Sequence, residues 1–337
     1  MTSIINVSLI VKKLIAYFLI IIYLFVLFNI PDDLFRDRFV YTVFAIDSDS
    51  IFLFEFGELK YFMNEPLFLY FASFFNYYPK MFPVFMGCVV GLVYCFYLEK
   101  YSKNLFIFIL GFLFLLFNTF LIYPQIMQLR QGFATALFLI IVLSVSDLKN
   151  KIFFSLFLPF LHMIFLVIIP IYIYYELYLK YKSKFSIFKN IAIISLSLSF
   201  FSFALMSAIG VRQAEQYDGV SSSFGGGSFI LHSLLFIYFY FFIKKSNDFI
   251  YNWALIGLTF YIFSYFVLPS PGRVFVSFYP FVLYTLISQQ TVLNYIVLLI
   301  LLFIFIILFF NGGLEGMLSV STSDFYFEFS KILMNAL

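Results

Sequence analysis

The chain has 337 residues, of which 64% are apolar and only 11% charged, with a net charge of +3 and a mean hydropathy of +1.04. Soluble domains carry about 25% charged residues, so this chain cannot cover a water-facing surface, and its small, dispersed charge excludes a nucleic-acid footprint. Dividing about 216 apolar residues by roughly 20 per crossing predicts an all-α, polytopic integral membrane protein with roughly 9–11 transmembrane helices, in one domain over 1–337. A β-barrel is excluded, because barrel strands alternate apolar and polar residues and these runs are apolar throughout.

In chain order, apolar runs predict helices at about 9–30, 81–98, 104–123, 126–146, 188–209, 228–243, 249–268, 274–289 and 291–310. The first run, Leu9 to Ile30, is too long for a signal-peptide core and lacks a small-residue cleavage site, so it reads as a retained helix. Two runs are awkward. Residues 65–79 are short and follow Pro66, and 152–179 is interrupted by Pro159 and Pro170. Both predict re-entrant or Pro-broken segments, which are allowed where protein surrounds them. Cys88 and Cys95 sit in one apolar run without other donors nearby, so no metal site is predicted.

Basic residues set the expected orientation. Lys12 and Lys13 put the N-terminus in the cytoplasm. If 65–79 crosses, Lys100, Lys103, Lys149 and Lys151 lie outside; if it only dips in, and 152–179 forms a hairpin, all four lie inside. The second arrangement is preferred. It sorts 12 of 15 lysines to the inner side and all five arginines to the outer side. Its outer features are a loop at 31–64, a lid-like loop at 210–227 and a tail at 311–337 with an amphipathic stretch, Phe325, Phe329, Ile332 and Leu333. Phe (55) and Tyr (26) are very abundant, which codon bias explains more readily than a sugar-stacking lining.

Chemistry-bearing residues cluster on the expected outer side. The 31–64 loop holds Arg38 and Asp47 and ends in Asn64-Glu65-Pro66-Leu67-Phe68. Glu ahead of Pro suits a helix start, or a carboxylate held at the membrane surface. Gln128, Arg130 and Gln131 fall in the first turns of an apolar helix, where an Arg either snorkels or binds an anion. His162 lies deep in an apolar run, as a structural hydrogen-bonder or as a general base. His232 is nearer a helix start and less notable. Arg212 and Tyr217 lie in the glycine-rich loop 210–227, which lacks the Lys and strand context of a nucleotide loop. Arg273 follows the turn Leu268-Pro269-Ser270-Pro271-Gly272, where helix N-terminal amides plus a guanidinium suit an anion.

An outer loop with Asp, then Glu-Pro-Leu-Phe (65–68), then Leu-Arg-Gln-Gly-Phe-Ala (129–134), a buried His, an outer Arg/Tyr loop and a late Arg together resemble the EpsG-type polysaccharide polymerases. These are related to the Wzy O-antigen polymerases. The resemblance spans about 31–285, although Asp47-Ser48-Asp49 stands where the family usually has Gly-Thr-Asp with a Tyr four residues on, and Met163 follows His162 where many members have Ser. It implies a glycosyltransferase of the bacterial inner membrane that polymerises undecaprenyl-pyrophosphate-linked oligosaccharides on the periplasmic face, with no cofactor. Membrane lipid and a chain-length regulator are the implied partners. On that reading Glu65 or His162 is the base, and Arg38, Asp47, Gln128, Arg130, Arg212, Tyr217 and Arg273 bind substrate. A lipid-linked oligosaccharide flippase is the alternative, together with a ligase or single-sugar transferase.

Overall fold

The computed structural model describes residues 2–48, 65–209, 226–243, 248–268, 271–289 and 291–336. Among them no strand forms, and extended residues pair only at an isolated bridge between Phe35 and Leu318. In chain order the helices are α1 (Thr2–Asn29), α2 (Arg38–Ile46), α3 (Pro66–Ser73), α4 (Met81–Tyr101), α5 (Leu105–Phe117), α6 (Thr119–Ile126), α7 (Leu129–Ser144) and α8 (Leu148–Ser155). There follow α9 (Phe165–Leu177), α10 (Lys184–Ile209), α11 (Gly226–Phe241), α12 (Asp248–Ser264), α13 (Pro271–Val276), α14 (Tyr279–Ser288), α15 (Val292–Leu308) and α16 (Thr322–Ala336). The chain divides into two compact units. The first comprises Met1–Leu53, Leu67–Lys151 and Leu286–Leu337; the second comprises Phe54–Pro66 and Ile152–Thr285.

Among the described residues four helices are long and apolar enough to cross a membrane: Leu9–Asn29 within α1, Met81–Tyr101, Lys184–Phe201 within α10, and Val292–Gly313 through α15. The pair α5 and α6, bent by 66°, makes a fifth if it is one span. Composition predicts roughly twice that number; the difference lies in apolar helices that break early. The run 104–123 is cut at Asn118, whose N–H closes α5 on the Phe114 carbonyl (3.0 Å) while its side chain accepts from Phe120 N–H (2.9 Å). One buried residue thus ends one helix and caps the next. The run 274–289 likewise divides into α13 and α14 around Ser277 and Phe278. The short run at 65–79 forms only the eight-residue α3, about 12 Å at 1.5 Å per residue against a hydrocarbon core of about 30 Å.

In the first unit, side-chain contacts fix which helix ends meet. Lys12 of α1 is buried and donates to the Glu99 (2.9 Å) and Ser102 carbonyls at the end of α4, with its ammonium 3.0 Å from Glu99 Oε1. Tyr97 Oη bonds Ser144 Oγ at 2.7 Å, so α7 ends beside the end of α4. The rings of Phe106 and Tyr295, then Phe114 and Phe305, then Phe117 and Phe309 meet in sequence, so α15 runs parallel to α5. Lys12, Lys100, Lys103, Lys149 and Lys151 therefore share one end of this unit. At the opposite end Tyr123 Oη donates to the Gly313 carbonyl (3.1 Å), and the loop before α2 pairs with residues 317–319. Arg36, Arg38 and Arg130 are there. The aromatic rings of α3 and the following turn, Phe68, Phe71 and Phe75, pack on Phe82 and Phe85 in the first turns of α4. The segment thus lies along the arginine end only.

In the second unit α11 and α12 form an antiparallel hairpin: Ser228 Oγ bonds Tyr261 Oη (2.7 Å) at one end and Tyr251 Oη donates to the Phe239 carbonyl (3.0 Å) at the other. Trp253 anchors its core, with the rings of Phe278, Tyr172 and Tyr175 centred 5.3, 5.8 and 5.9 Å away.

Candidate functional site

Glu65 and His162, nearly a hundred residues apart in sequence, meet inside the second unit. Glu65 immediately precedes Pro66, has a left-handed backbone (φ 58°) and is 3% exposed. A left-handed Glu before Pro is disfavoured twice, by its own Cβ and by the proline ring, at a cost of roughly 1–3 kcal/mol. The carboxylate is held from the other side: Oε1 accepts from Met163 N–H at 3.2 Å and lies 4.0 Å from His162 Nε2.

His162 stands in a string of turns between α8 and α9, where Leu158–Phe160 is a 3-10 turn begun by Pro159. Its N–H donates to the Leu158 carbonyl (3.0 Å), and its own carbonyl accepts from Phe165 N–H (3.0 Å) at the start of α9. The ring nitrogen Nδ1 accepts from Ile164 N–H at 3.2 Å. A neutral imidazole has one acceptor and one donor nitrogen, so this bond assigns the proton to Nε2, on the side of Glu65. At 4.0 Å the two are beyond a direct hydrogen bond and within reach of one adjustment or a bridging water.

The first unit holds a second group of candidates. Arg38, 0% exposed, donates from Nε to Asp32 Oδ1 (2.9 Å), and Asp32 Oδ2 accepts from Thr42 Oγ1 (3.1 Å). Burial lowers the Arg38 pKa, and the Asp32 carboxylate opposes that shift. Its Nη1 and Nη2 are buried without a hydrogen-bond partner among the described residues. Arg130, in the first turn of α7, lies over the rings of Phe44 and Phe68, 5.3 and 5.4 Å from their centroids. Gln128 occupies the position just before that helix, with Oε1 buried and without a partner among the described residues. Gly132, in the Leu-Arg-Gln-Gly stretch, has a steric reason: a Cβ there would stand 2.0 Å from the Pro124 carbonyl oxygen of α6. The motif thus sets the close approach of α6 and α7 that presents Arg130.

The remaining predicted residues scatter. Asp47 is exposed and closes α2 through its N–H to the Val43 carbonyl (2.9 Å). Arg273 is exposed on the short α13 of the second unit. Arg212 and Tyr217 lie outside the described residues, as do 49–64 of the first loop and 210–225 of the second. Sequence reasoning gave no role to Asp32, although it stands six residues before Arg38. It also passed over His232, which is buried among the rings of Tyr261, Phe275 and Tyr279 (4.9–5.8 Å between centroids) and donates from Nδ1 to the Ser228 carbonyl (2.7 Å). Among the described residues no three His, Cys, Asp or Glu side chains converge. No protein-family model, curated protein or solved structure matches the chain.

Proposed function

We propose that this protein is a polytopic membrane glycosyltransferase that joins lipid-pyrophosphate-linked oligosaccharides, with Glu65 as the base. The observation that carries the reading is the Glu65–His162 pair, a buried carboxylate facing an imidazole at the mouth of α9. In the reaction, a hydroxyl oxygen of the acceptor glycan attacks the anomeric carbon of the donor. A new C–O bond forms, the bond from that carbon to pyrophosphate breaks, and its electron pair leaves on the pyrophosphate. The hydroxyl proton passes to Glu65. His162 commits Nδ1 to Ile164 N–H, which favours Glu65 as base and His162 as the group that positions it. In this unit Arg273 is the candidate cation for the leaving pyrophosphate, since a guanidinium meets phosphate oxygens in a planar fork; Arg130, in the first unit, is a separate candidate for binding an anion.

The common end shared by Lys12, Lys100, Lys103, Lys149 and Lys151 supports the topology in which 65–79 dips in and returns, with those lysines cytoplasmic. The eight-residue α3 fits such a dip. Deleting the gene in its native cell tests the reading: surface glycan should fall from a ladder to a single repeat unit on lipid. Loss of every unit would instead indicate a flippase or ligase, and an unchanged ladder would end the proposal.

A further inference from the structure

The helix α16 has three sides with different surroundings. Phe325 and Ile332 are buried; Phe325 meets Phe35 ring to ring at 5.7 Å, and the helix lies against α1. They are two of the four residues whose spacing marked the tail as amphipathic, and they face the protein; Phe329 is half-buried. A second side carries Asp324, Glu328 and Lys331, the last two paired at 2.8 Å. A third side carries Tyr326, Phe327 and Met334, which are 50%, 62% and 70% exposed. At 100° per residue these three occupy an arc of about 100° between the packed side and the charged side.

The segment before α16 is tied down. Arg36 N–H donates to the Met317 carbonyl (2.9 Å), Arg36 Nε to the Leu318 carbonyl (2.8 Å), Ser319 N–H to the Leu34 carbonyl (3.0 Å) and Ser319 Oγ to the Asp33 carbonyl. Ser321 then caps the helix, accepting from Asp324 N–H (3.2 Å). The helix is thereby fixed at the arginine end of α1, whose own outer surface at that end is apolar: Ile21, Phe25 and Phe28 are all exposed.

We infer that α16 lies along the membrane–water boundary at the arginine end of the first unit, with Tyr326, Phe327 and Met334 in lipid and Asp324, Glu328 and Lys331 in water. Continuity with the exposed apolar face of α1 selects the occupant: the hydrocarbon that covers Phe25 and Phe28 extends under the neighbouring helix. A charged arc beside an apolar one, meeting where the Lys331 ammonium lies 4.0 Å from the centre of the Phe327 ring, suits a helix lying in the interface plane, its cation reaching from the apolar side toward water. The strap at 317–319 then transmits that anchoring to the loop carrying Asp32, Arg36 and Arg38. The inference rests on the membrane-spanning part of the proposed function and is independent of its chemistry.

The test uses the full chain with Cys88→Ala and Cys95→Ala, reconstituted in phosphatidylcholine–phosphatidylglycerol vesicles. Single cysteines at Ile21, Phe325, Phe327, Lys331 and Met334 carry a fluorophore, quenched in turn by brominated lipid and by aqueous iodide. Folded protein is selected by gel filtration before reconstitution. Labels at 327 and 334 should be quenched by lipid and protected from iodide, the label at 331 should show the reverse, and the label at 325 should be protected from both. Iodide quenching at 327 and 334 equal to that at 331 overturns the inference. Protection of 327 and 334 from both quenchers also overturns it, because a protein surface would then cover the face. Failure of lipid to quench the label at 21 would instead strike at the membrane-spanning reading itself.

Discussion

Replacing Glu65 by Gln separates a catalytic carboxylate from a structural one. Gln keeps the volume, and its amide oxygen can still accept from Met163 N–H, now at 3.2 Å from the wild-type carboxylate. Exchanging a charge-assisted bond for a neutral one costs about 1 kcal/mol, within what a folded protein of this size tolerates. Removing the proton acceptor costs about 100- to 10,000-fold in rate, equivalent to roughly 3–5 kcal/mol of barrier at 1.36 kcal/mol per decade. The expected result is near-normal membrane abundance by immunoblot with a loss of polymer on glycan gels, and a matching rate loss with purified protein and lipid-linked repeat units. Activity that falls only in step with abundance, or a ladder of normal length, would refute the assignment.

Three further outcomes follow from individual contacts. Arg130→Lys keeps the charge but loses the planar fork and the stacking on Phe44 and Phe68, so normal insertion with little polymer is expected; a wild-type ladder would reduce Arg130 to a surface charge. Gly132→Ala forces a Cβ against the Pro124 carbonyl, and since backbone is the obstacle a loss of about 1–3 kcal/mol or more is expected in detergent melting curves. Gly226→Ala, whose added Cβ meets nothing within 4 Å among the described residues, is the matched control and should melt as wild type. Lys12→Met leaves the half-buried Glu99 without its cation, an expected loss of about 1–3 kcal/mol that Glu99→Gln should partly restore; equal melting of Lys12→Met and wild type would show that the pair is not a stabilising contact.

The helical, apolar character of the chain was legible from composition, because a backbone in apolar surroundings must satisfy its own hydrogen bonds. The start of α7 was legible to within about three residues, expected near 126 and found at Leu129, since a polar Gln-rich stretch running into an apolar one is a local signal. What packing decided has no local signature. The run Leu105–Phe117 is apolar on every side, so no period indicates which face turns inward; contacts with Tyr295 and Phe305 do that. Asn118 reads as one polar residue in a long span until its side chain is seen capping the next helix. The tail illustrates the reverse case. Of the residues its period picked out, Phe325 and Ile332 are buried, Phe325 against the Phe35 loop, and Phe329 is half-buried, leaving Tyr326, Phe327 and Met334 outside. Glu65 and His162 were each selected by neighbouring residues alone, one beside a proline and one in an apolar run. Their meeting depended on the chain returning from Ile152 to the Glu65 turn, a long-range closure that no pattern within either segment encodes.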